Sequence, residues 1–146
     1  MNKIEKDTIN ANKIIEIVSD YFDVDAKSTS RKLKFILPRQ ISQYFIRRKL
    51  ELSYQLIAYI FKVRQHGTIS NNVTKVENFS FTDPQVSFYV KELELILRDD
   101  VEIMLYQRTL DNVEVLTSIN KILDSKSVYD LNKIKKILLD YNTKIQ

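Results

Sequence analysis

The side chains best suited to binding chemistry in this sequence are basic, and they are concentrated in one window. Within residues 31–64 there is a single carboxylate, Glu51, against nine arginine and lysine residues, so the formal charge of the window is 9 − 1 = +8. The nine are Arg31, Lys32, Lys34, Arg39, Arg47, Arg48, Lys49, Lys62 and Arg64. The whole chain carries +4, so the other residues sum to 4 − 8 = −4. Charge confined in this way predicts a basic patch, which is typical of proteins that bind nucleic acid.

Residue types that support catalysis or metal binding are scarce. The chain has no cysteine and one histidine, His66, and its neighbouring carboxylates Asp99 and Asp100 point different ways on a helix. With Gly67 as its only glycine, it cannot contain the GxxxxGK(S/T) loop that binds nucleotide phosphates. We therefore expect no enzyme activity, no metal, no nucleotide and no other cofactor.

The composition indicates which elements must position the basic side chains. A chain of 146 residues, 44% of them hydrophobic, can bury one core and carry a helical appendage. Apolar residues recur at intervals of three and four, and one glycine and two prolines leave few turns, so the prediction is an all-α fold. The sequence has no signal-peptide core and no run approaching about 18 apolar residues, so we expect a cytoplasmic protein without membrane segments.

Two helices are predicted on either side of a basic loop. A first helix over residues 10–22 is indicated by the apolar stripe Ile14, Ile17, Val18, Tyr21 and Phe22. Residues 26–36 are small, hydroxylated and basic, and they predict a loop. Pro38 is expected to open a second helix over residues 38–50, because proline is favoured at the first helical position. Its inner face would hold Ile41, Tyr44 and Phe45, and its outer face mainly Arg39, Arg47 and Arg48.

The next two helices have the pattern of a helix-turn-helix. Ser53 is the predicted cap of a short third helix, whose buried side is Leu56, Ile57, Ile60 and Phe61. After a tight turn over residues 62–65, a fourth helix is predicted to begin near His66. It would pack inward through Ile69, Val73 and Val76 and leave Thr68, Asn71, Asn72 and Lys75 able to reach out. Polar side chains near the start of such a helix are typical of a recognition helix that enters the major groove of DNA.

The remaining residues predict a fifth helix and an extension. Asp83-Pro84 indicates the start of a helix that ends near residue 98, so residues 1–98 would form the DNA-binding domain and residues 99–146 a helical extension. An apolar stripe over residues 100–123 and a capping-box pattern at Ser127–Asp130 predict two further helices. The extension would either complete the core or form a dimer or partner surface, and we favour the surface.

The order of motifs resembles the C-terminal DNA-binding domain, domain IV, of the bacterial replication initiator DnaA. The similar stretches are IVSDYFDVD at 17–25, SRKLKFILPRQISQYFIRR at 30–48, Leu52-Ser53, IAYIF at 57–61, RQHGTI at 64–69 and KVE at 75–77. Their spacing holds over about 80 residues, and there is no gap between PRQ and KVE. The resemblance implies an all-α helix-turn-helix bundle of the DnaA domain IV or Trp-repressor kind, with two extra C-terminal helices in this chain.

The resemblance also implies roles for individual residues. Arg31 matches the loop arginine that enters the minor groove, and Arg39 and Gln40 match phosphate contacts at a helix start. His66, Gly67 and Thr68 match base-reading positions. The predicted DNA-binding set is Arg31, Lys32, Lys34, Arg39, Gln40, Arg47, Arg64, Gln65, His66, Gly67, Thr68, Asn71 and Lys75.

This sequence departs from the DnaA pattern where bases are read. Gln65 replaces an aspartate and Gly67 replaces a threonine, and the turn has Lys62-Val63 where glycine is common. Glutamine is a weaker helix cap, and glycine removes a methyl-bearing side chain. We therefore expect DNA binding with altered or reduced sequence preference.

The function that the resemblance implies is binding of double-stranded DNA in the regulation of replication or transcription, without an ATPase of the chain's own. Such a protein would be nucleoid-associated in a prokaryote or encoded by a phage. The alternative is a structural or adaptor protein of a phage or mobile element, which keeps the helix-turn-helix fold but has lost specific DNA recognition.

Overall fold

The computed structural model describes residues 2–110, and the described part is all-α, as predicted. It contains five helices: α1 (Lys3–Phe22), α2 (Leu33–Phe45), α3 (Tyr54–Ile60), α4 (His66–Thr82) and α5 (Pro84–Leu110). A π-helical turn, Ile46–Leu50, follows α2 directly. The first compact unit of the chain ends at Arg98, within α5. The two helices predicted beyond residue 110 lie outside the described residues.

The first helix is longer than predicted, because it begins at Lys3 instead of near residue 10. Asn2 caps it, since its side-chain oxygen accepts the backbone N–H of Glu5 at 2.8 Å. This cap allows the polar residues before the apolar stripe to join the helix. Ile14 and Val18 are buried as predicted, whereas Ile15 is buried in the place of the predicted Ile17, which is only half-buried.

The second helix also begins earlier than predicted, at Leu33, so Pro38 lies inside it. The backbone N–H of Phe35 donates to the Lys32 carbonyl at 3.0 Å and starts the helix one turn before the proline. Pro38 has no backbone N–H and so cannot donate to the Lys34 carbonyl. Lys34 is exposed, whereas the proline itself is buried. Ile41 and Phe45 are fully buried, as predicted, and Tyr44 is half-buried.

The third and fourth helices confirm the predicted helix-turn-helix. The Ser53 hydroxyl accepts the backbone N–H of Leu56 at 3.2 Å and caps α3. The predicted inner face of α4, consisting of Ile69, Val73 and Val76, is buried. Through these side chains α4 packs against α2 and α3, which are its main neighbours.

The fifth helix starts at the predicted place and continues further than predicted. The Asp83 carboxylate caps it by accepting the backbone N–H of Gln85 at 2.9 Å. The predicted end near residue 98 is wrong, because no glycine or proline follows Pro84 before Leu110 to interrupt the helix. None of the described helices is long and apolar enough to span a membrane.

The core is centred on α2, which packs against α4 on one side and α1 on another. Phe45, Phe61 and Ile14 are among its largest fully buried side chains. An aromatic contact joins the end of α1 to α5, because the rings of Phe22 and Tyr89 meet edge to face with centroids 5.0 Å apart. This frame supports both the basic loop before α2 and the helix-turn-helix after it.

Candidate nucleic-acid interface

The turn between α3 and α4 is a helix-terminating motif built without glycine. Lys62 takes the left-handed conformation with φ of 57°. Its backbone N–H donates to the Tyr59 carbonyl at 3.2 Å, and the N–H of Val63 donates to the Ala58 carbonyl at 2.8 Å. This pair of bonds is the Schellman arrangement, in which glycine is the usual left-handed residue. The turn directs the chain into α4 and leaves Lys62 and Arg64 exposed.

The start of α4 is open to solvent and weakly capped. Gln65 occupies the cap position, but its side chain makes no capping bond, which agrees with the expectation that glutamine caps poorly at this position. His66, Gly67 and Thr68 are all exposed. A helix start of this kind presents unpaired backbone N–H groups and a partial positive charge, both of which attract a phosphate.

Gly67 is not required by the backbone. A Cβ atom built on it would meet no atom within 4 Å, and its φ is not positive. The missing side chain therefore leaves open space in the first turn of α4, where the resemblance implies a base-reading threonine.

Further along α4, Asn71 and Lys75 are exposed, as their predicted role requires. Asn72 does not reach outward, and the prediction for this residue is wrong. Its side-chain oxygen accepts from Gln40 Nε2 at 3.2 Å, and its Nδ2 donates to Gln43 Oε1 at 2.8 Å. These bonds turn Asn72 toward α2. The predicted phosphate residue Gln40 is consequently half-buried and linked to α4.

Arg39 connects the same part of α2 to the basic loop. Its Nη1 donates to the carbonyl oxygens of Ser28 at 2.6 Å and Ser30 at 2.9 Å. The side chain is half-buried, so part of its predicted phosphate-binding capacity is used to hold the loop. The loop residues Arg31 and Lys32 are exposed, as is Lys34 in the first turn of α2.

The basic residues at the end of α2 make contacts within the protein. Arg47 Nη1 donates to the Leu52 carbonyl at 2.8 Å, and its guanidinium lies 4.2 Å from the centre of the Tyr54 ring. Arg48 forms an ion pair with Glu77, and Lys49 forms one with Glu94. Arg47 was predicted to contact DNA, and the structure gives it a role in holding the chain between the π-helical turn and α3.

The positively charged surface is therefore smaller than the sequence window. Arg39, Arg47, Arg48 and Lys49 have hydrogen-bond or ion-pair partners within the protein, and the other 9 − 4 = 5 of the nine basic residues are exposed. These five are Arg31, Lys32, Lys34, Lys62 and Arg64. We call them, with Lys75 of α4, the basic surface. Among residues 2–110 no group of three or more His, Cys, Asp or Glu side chains could hold a metal ion.

Two exposed apolar side chains beside this surface were missed at the sequence level. Leu33, at the first position of α2, is 86% exposed, and Tyr59 of α3 is 77% exposed. The sequence carried no clear signal for Leu33, because Leu93, which likewise lies between two charged residues, is fully buried. Tyr59 lies between the buried residues Ala58 and Ile60, and its exposure depends on how α3 packs.

Comparison with known proteins shows what this region is similar to. The model of the bacterial DnaA protein helix-turn-helix matches residues 11–76. The chromosomal replication initiator protein DnaA of Bdellovibrio bacteriovorus is 32% identical over 90 residues, which are 60% of this chain and 19% of the initiator. The initiator DnaA of Acholeplasma laidlawii is 37% identical over 87 residues, 58% of this chain and 20% of the initiator. The chain thus spans about a fifth of the length of these curated relatives. No solved structure gave a significant match.

Proposed function

Because residues 11–76 match the model of the bacterial DnaA helix-turn-helix, we propose that this protein binds double-stranded DNA with α4 in the major groove and the basic loop at the minor groove. The Arg31 side chain would enter the minor groove, where a narrow A·T-rich groove concentrates negative potential. Gln65, His66, Thr68 and Asn71 would face base edges.

The observation that carries this proposal is the pair of hydrogen-bonded links made by two adjacent residues in the middle of α2. Arg39 binds the carbonyls of Ser28 and Ser30 in the loop, and the next residue, Gln40, binds Asn72 of α4. Asn72 lies one helical turn after Thr68, on the same side of α4. The loop and the reading end of α4 are therefore fixed to adjacent residues of one helix, as a protein needs when it contacts two grooves in a set register.

The exposed charge supports the same function. The five residues that the 31–64 window contributes to the basic surface lie in the loop, the first turn of α2 or the turn before α4. Arginine and lysine at these places would neutralise DNA phosphates and release counterions, so binding would weaken as salt increases.

We further propose that the protein regulates replication or transcription. Its curated relatives are named as chromosomal replication initiators, whereas the 146 residues of this chain include one glycine and so no phosphate loop of the GxxxxGK(S/T) type. DNA binding by this chain would therefore act without nucleotide hydrolysis by these residues, for example by competing for initiator sites.

The first test is fluorescence anisotropy of the whole chain with a duplex that carries a DnaA-type box and with a scrambled duplex, across a salt series. We expect tighter binding to the box and a log–log salt slope that falls by about 1 for each phosphate contact removed. Arg64→Ala should lower the slope, whereas Lys91→Ala, which removes an exposed lysine on α5, should leave it unchanged. An affinity that falls steeply with salt but does not differ between the box and the scrambled duplex would limit the function to unselective DNA binding.

The reading end of α4 can be tested by restoring the residues typical of DnaA. The double variant Gln65→Asp/Gly67→Thr has space for the new threonine, since a Cβ at residue 67 meets nothing within 4 Å. We expect it to increase the ratio of box to scrambled affinity by about tenfold, as one good base contact would. Gln65→Asn/Gly67→Ala is the matched control, because it restores the cap and the helix propensity without the aspartate or the threonine. An equal ratio for both variants would argue against base reading at these positions.

The second candidate function is that of a structural or adaptor protein of a phage or mobile element. The missing capping bond at Gln65 and the open space at Gly67 favour this candidate, because both features weaken the end of α4 that would read bases. Absence of duplex binding at low salt would select this candidate over the first.

We also propose that the residues after 98 mediate self-association or contact with a partner protein. Leu105 and Tyr106 are apolar residues that remain exposed near the end of the described part of α5. Sedimentation of the full chain over a range of concentrations tests this idea for a homodimer, which would have twice the monomer mass of 17.3 kDa. A constant monomer mass would exclude the homodimer.

A further inference from the structure

Three amide side chains form a chain of hydrogen bonds between α2 and α4. Gln40 Nε2 donates to Asn72 Oδ1 at 3.2 Å, and Asn72 Nδ2 donates to Gln43 Oε1 at 2.8 Å. Gln43 is fully buried, and its own Nε2 has no hydrogen-bond partner among residues 2–110. A buried amide with an unpaired N–H destabilises a fold, and an apolar residue would fill the position at lower cost. The polar choice at residue 43 therefore needs an explanation beyond core packing.

The position of these hydrogen bonds in the fold suggests what the three amide side chains do. Gln40 and Gln43 are three residues apart and share one face of α2, so Asn72 can bond to both. Gln43 is the buried end of this series of hydrogen bonds, and Gln40, which is half-exposed, is the other end. On α4, Asn72 is one turn from Thr68 and three residues from Lys75, so it sits behind the exposed face of that helix.

We propose that Asn72 is a positioning residue for DNA binding: anchored by the buried Gln43, it holds the Gln40 side chain in the orientation in which Gln40 contacts a DNA phosphate. The proposal rests on the function proposed above. With one N–H engaged by Asn72, Gln40 keeps its second N–H available for a phosphate oxygen. Holding the glutamine in place before DNA arrives removes the entropy cost of immobilising a side chain on binding. It also fixes the phosphate contact on α2 relative to the base contacts on α4.

A double-mutant cycle in DNA binding tests the proposal. The dissociation constant of a duplex with a DnaA-type box is measured by anisotropy for the unaltered chain, Asn72→Ala, Gln40→Ala and the double variant. We expect each single change to weaken binding by about two- to tenfold, the range for one hydrogen bond. The double variant should be no weaker than Gln40→Ala alone, because Asn72 acts through Gln40.

Asn72→Ala leaves the Gln43 amide without any partner, so a second variant separates binding from folding. Gln43→Met/Asn72→Ala replaces both groups of that bond with apolar side chains, a change that is close to neutral for stability. It should melt at the same temperature as the unaltered protein, and yet it should lose the same DNA affinity as Asn72→Ala. Adding Gln40→Ala to this background should cause no further loss.

The outcomes separate the two proposals. If the unaltered chain does not bind duplex DNA, the proposed function fails and the role of Asn72 fails with it. If the chain binds and the effects of Asn72→Ala and Gln40→Ala simply multiply, Asn72 serves the fold alone and only the positioning role is overturned. Full affinity in Gln43→Met/Asn72→Ala would overturn it as well.

Discussion

At the residue scale, the turn before α4 and the first turn of α4 combine two local features that reduce stability. Lys62 takes the left-handed backbone conformation that glycine usually provides, and Gly67 occupies a helical position that glycine does not need to fill. The sequence indicated both departures from the DnaA pattern. Their physical consequences depend on φ and on the space around Cβ, which only the structure supplies.

Replacing Lys62 with glycine should stabilise the protein. The φ of 57° is strained for a lysine, and glycine removes the contact between Cβ and the backbone that causes the strain. We expect Lys62→Gly to raise the free energy of unfolding by about 1 kcal/mol in urea denaturation followed by circular dichroism. Lys62→Ala is the matched control, since it removes the same charge and keeps the Cβ. A gain of equal size in the alanine variant would assign the effect to charge.

Replacing Gly67 with alanine should also be stabilising. Alanine restricts the unfolded chain and favours the helix, and at this position its Cβ meets no atom within 4 Å. The expected gain is about 0.5–1 kcal/mol in the free energy of unfolding, measured by urea denaturation. No gain would show that the first turn of α4 contributes little to the cooperative unfolding of the domain.

At the element scale, Arg39 links the basic loop to α2. One of its guanidinium nitrogens bonds to the carbonyls of both Ser28 and Ser30, and the loop is tied to α1 where the Ala26 N–H donates to Ser19 Oγ at 3.0 Å. Arg31, the next residue after Ser30, therefore projects from a loop that is held at two points. A role in holding the loop and a role in binding phosphate make different predictions for a conservative substitution.

Arg39→Lys keeps the charge and removes the planar group that bridges the two carbonyls. We expect it to lower the free energy of unfolding by about 1 kcal/mol and to speed hydrogen exchange of the amides of residues 28–32. Arg64→Lys is the matched control, because Arg64 is exposed and the same substitution there should change neither quantity. Unchanged exchange in Arg39→Lys would mean that the loop holds its shape without this residue.

The sequence predicted the helices better than their ends. Apolar spacing correctly identified the buried residues of α4, and Ser53, His66 and Asp83 were correct markers of helix starts. The starts of α1 and α2 were placed too late, because Asn2 is a cap in a polar stretch and because a helix tolerates Pro38 one turn after its start. The end of α5 was placed too early, since no local signal interrupts it.

Less of the candidate interface could be predicted. The sequence located the basic window, but it could not show that Arg48 and Lys49 pair with Glu77 and Glu94, which are distant along the chain. Nor could it show that Asn72 turns inward, because that depends on its tertiary contacts with Gln40 and Gln43. Contacts between distant residues decide which charges remain available, and helical periodicity carries no information about them.

At the scale of the whole domain, the end of α1 is joined to α5 by an interaction that responds to pH. The Tyr21 hydroxyl donates a hydrogen bond to Glu92 Oε2, and the Tyr21 ring meets the Tyr89 ring edge to face. Burial, together with the bond to the Glu92 carboxylate and its charge, raises the pKa of Tyr21 from 10.0 to about 12. The folded state therefore keeps this proton over a range in which the unfolded chain releases it.

This difference predicts a loss of stability at high pH. Because the pKa of Tyr21 is higher in the folded state, its contribution is complete below pH 10.0 and is lost as the pH rises toward about 12. Tyr21→Phe should be less stable than the unaltered protein at pH 8 by about 1 kcal/mol, the size of a typical hydrogen bond. Urea denaturation from pH 8 to pH 11.5 should show the two stabilities converging above pH 10.

Other tyrosines and the lysines also titrate in this range, so the informative quantity is the difference between variants measured at the same pH. Glu92→Gln keeps a hydrogen-bond acceptor and removes the charge that opposes ionisation of Tyr21. It should lower the pKa of Tyr21 and move the alkaline loss of stability to lower pH. Parallel profiles for the unaltered protein and Tyr21→Phe would contradict the prediction, and they would mean that the proton on Tyr21 does not contribute to holding α1 against α5.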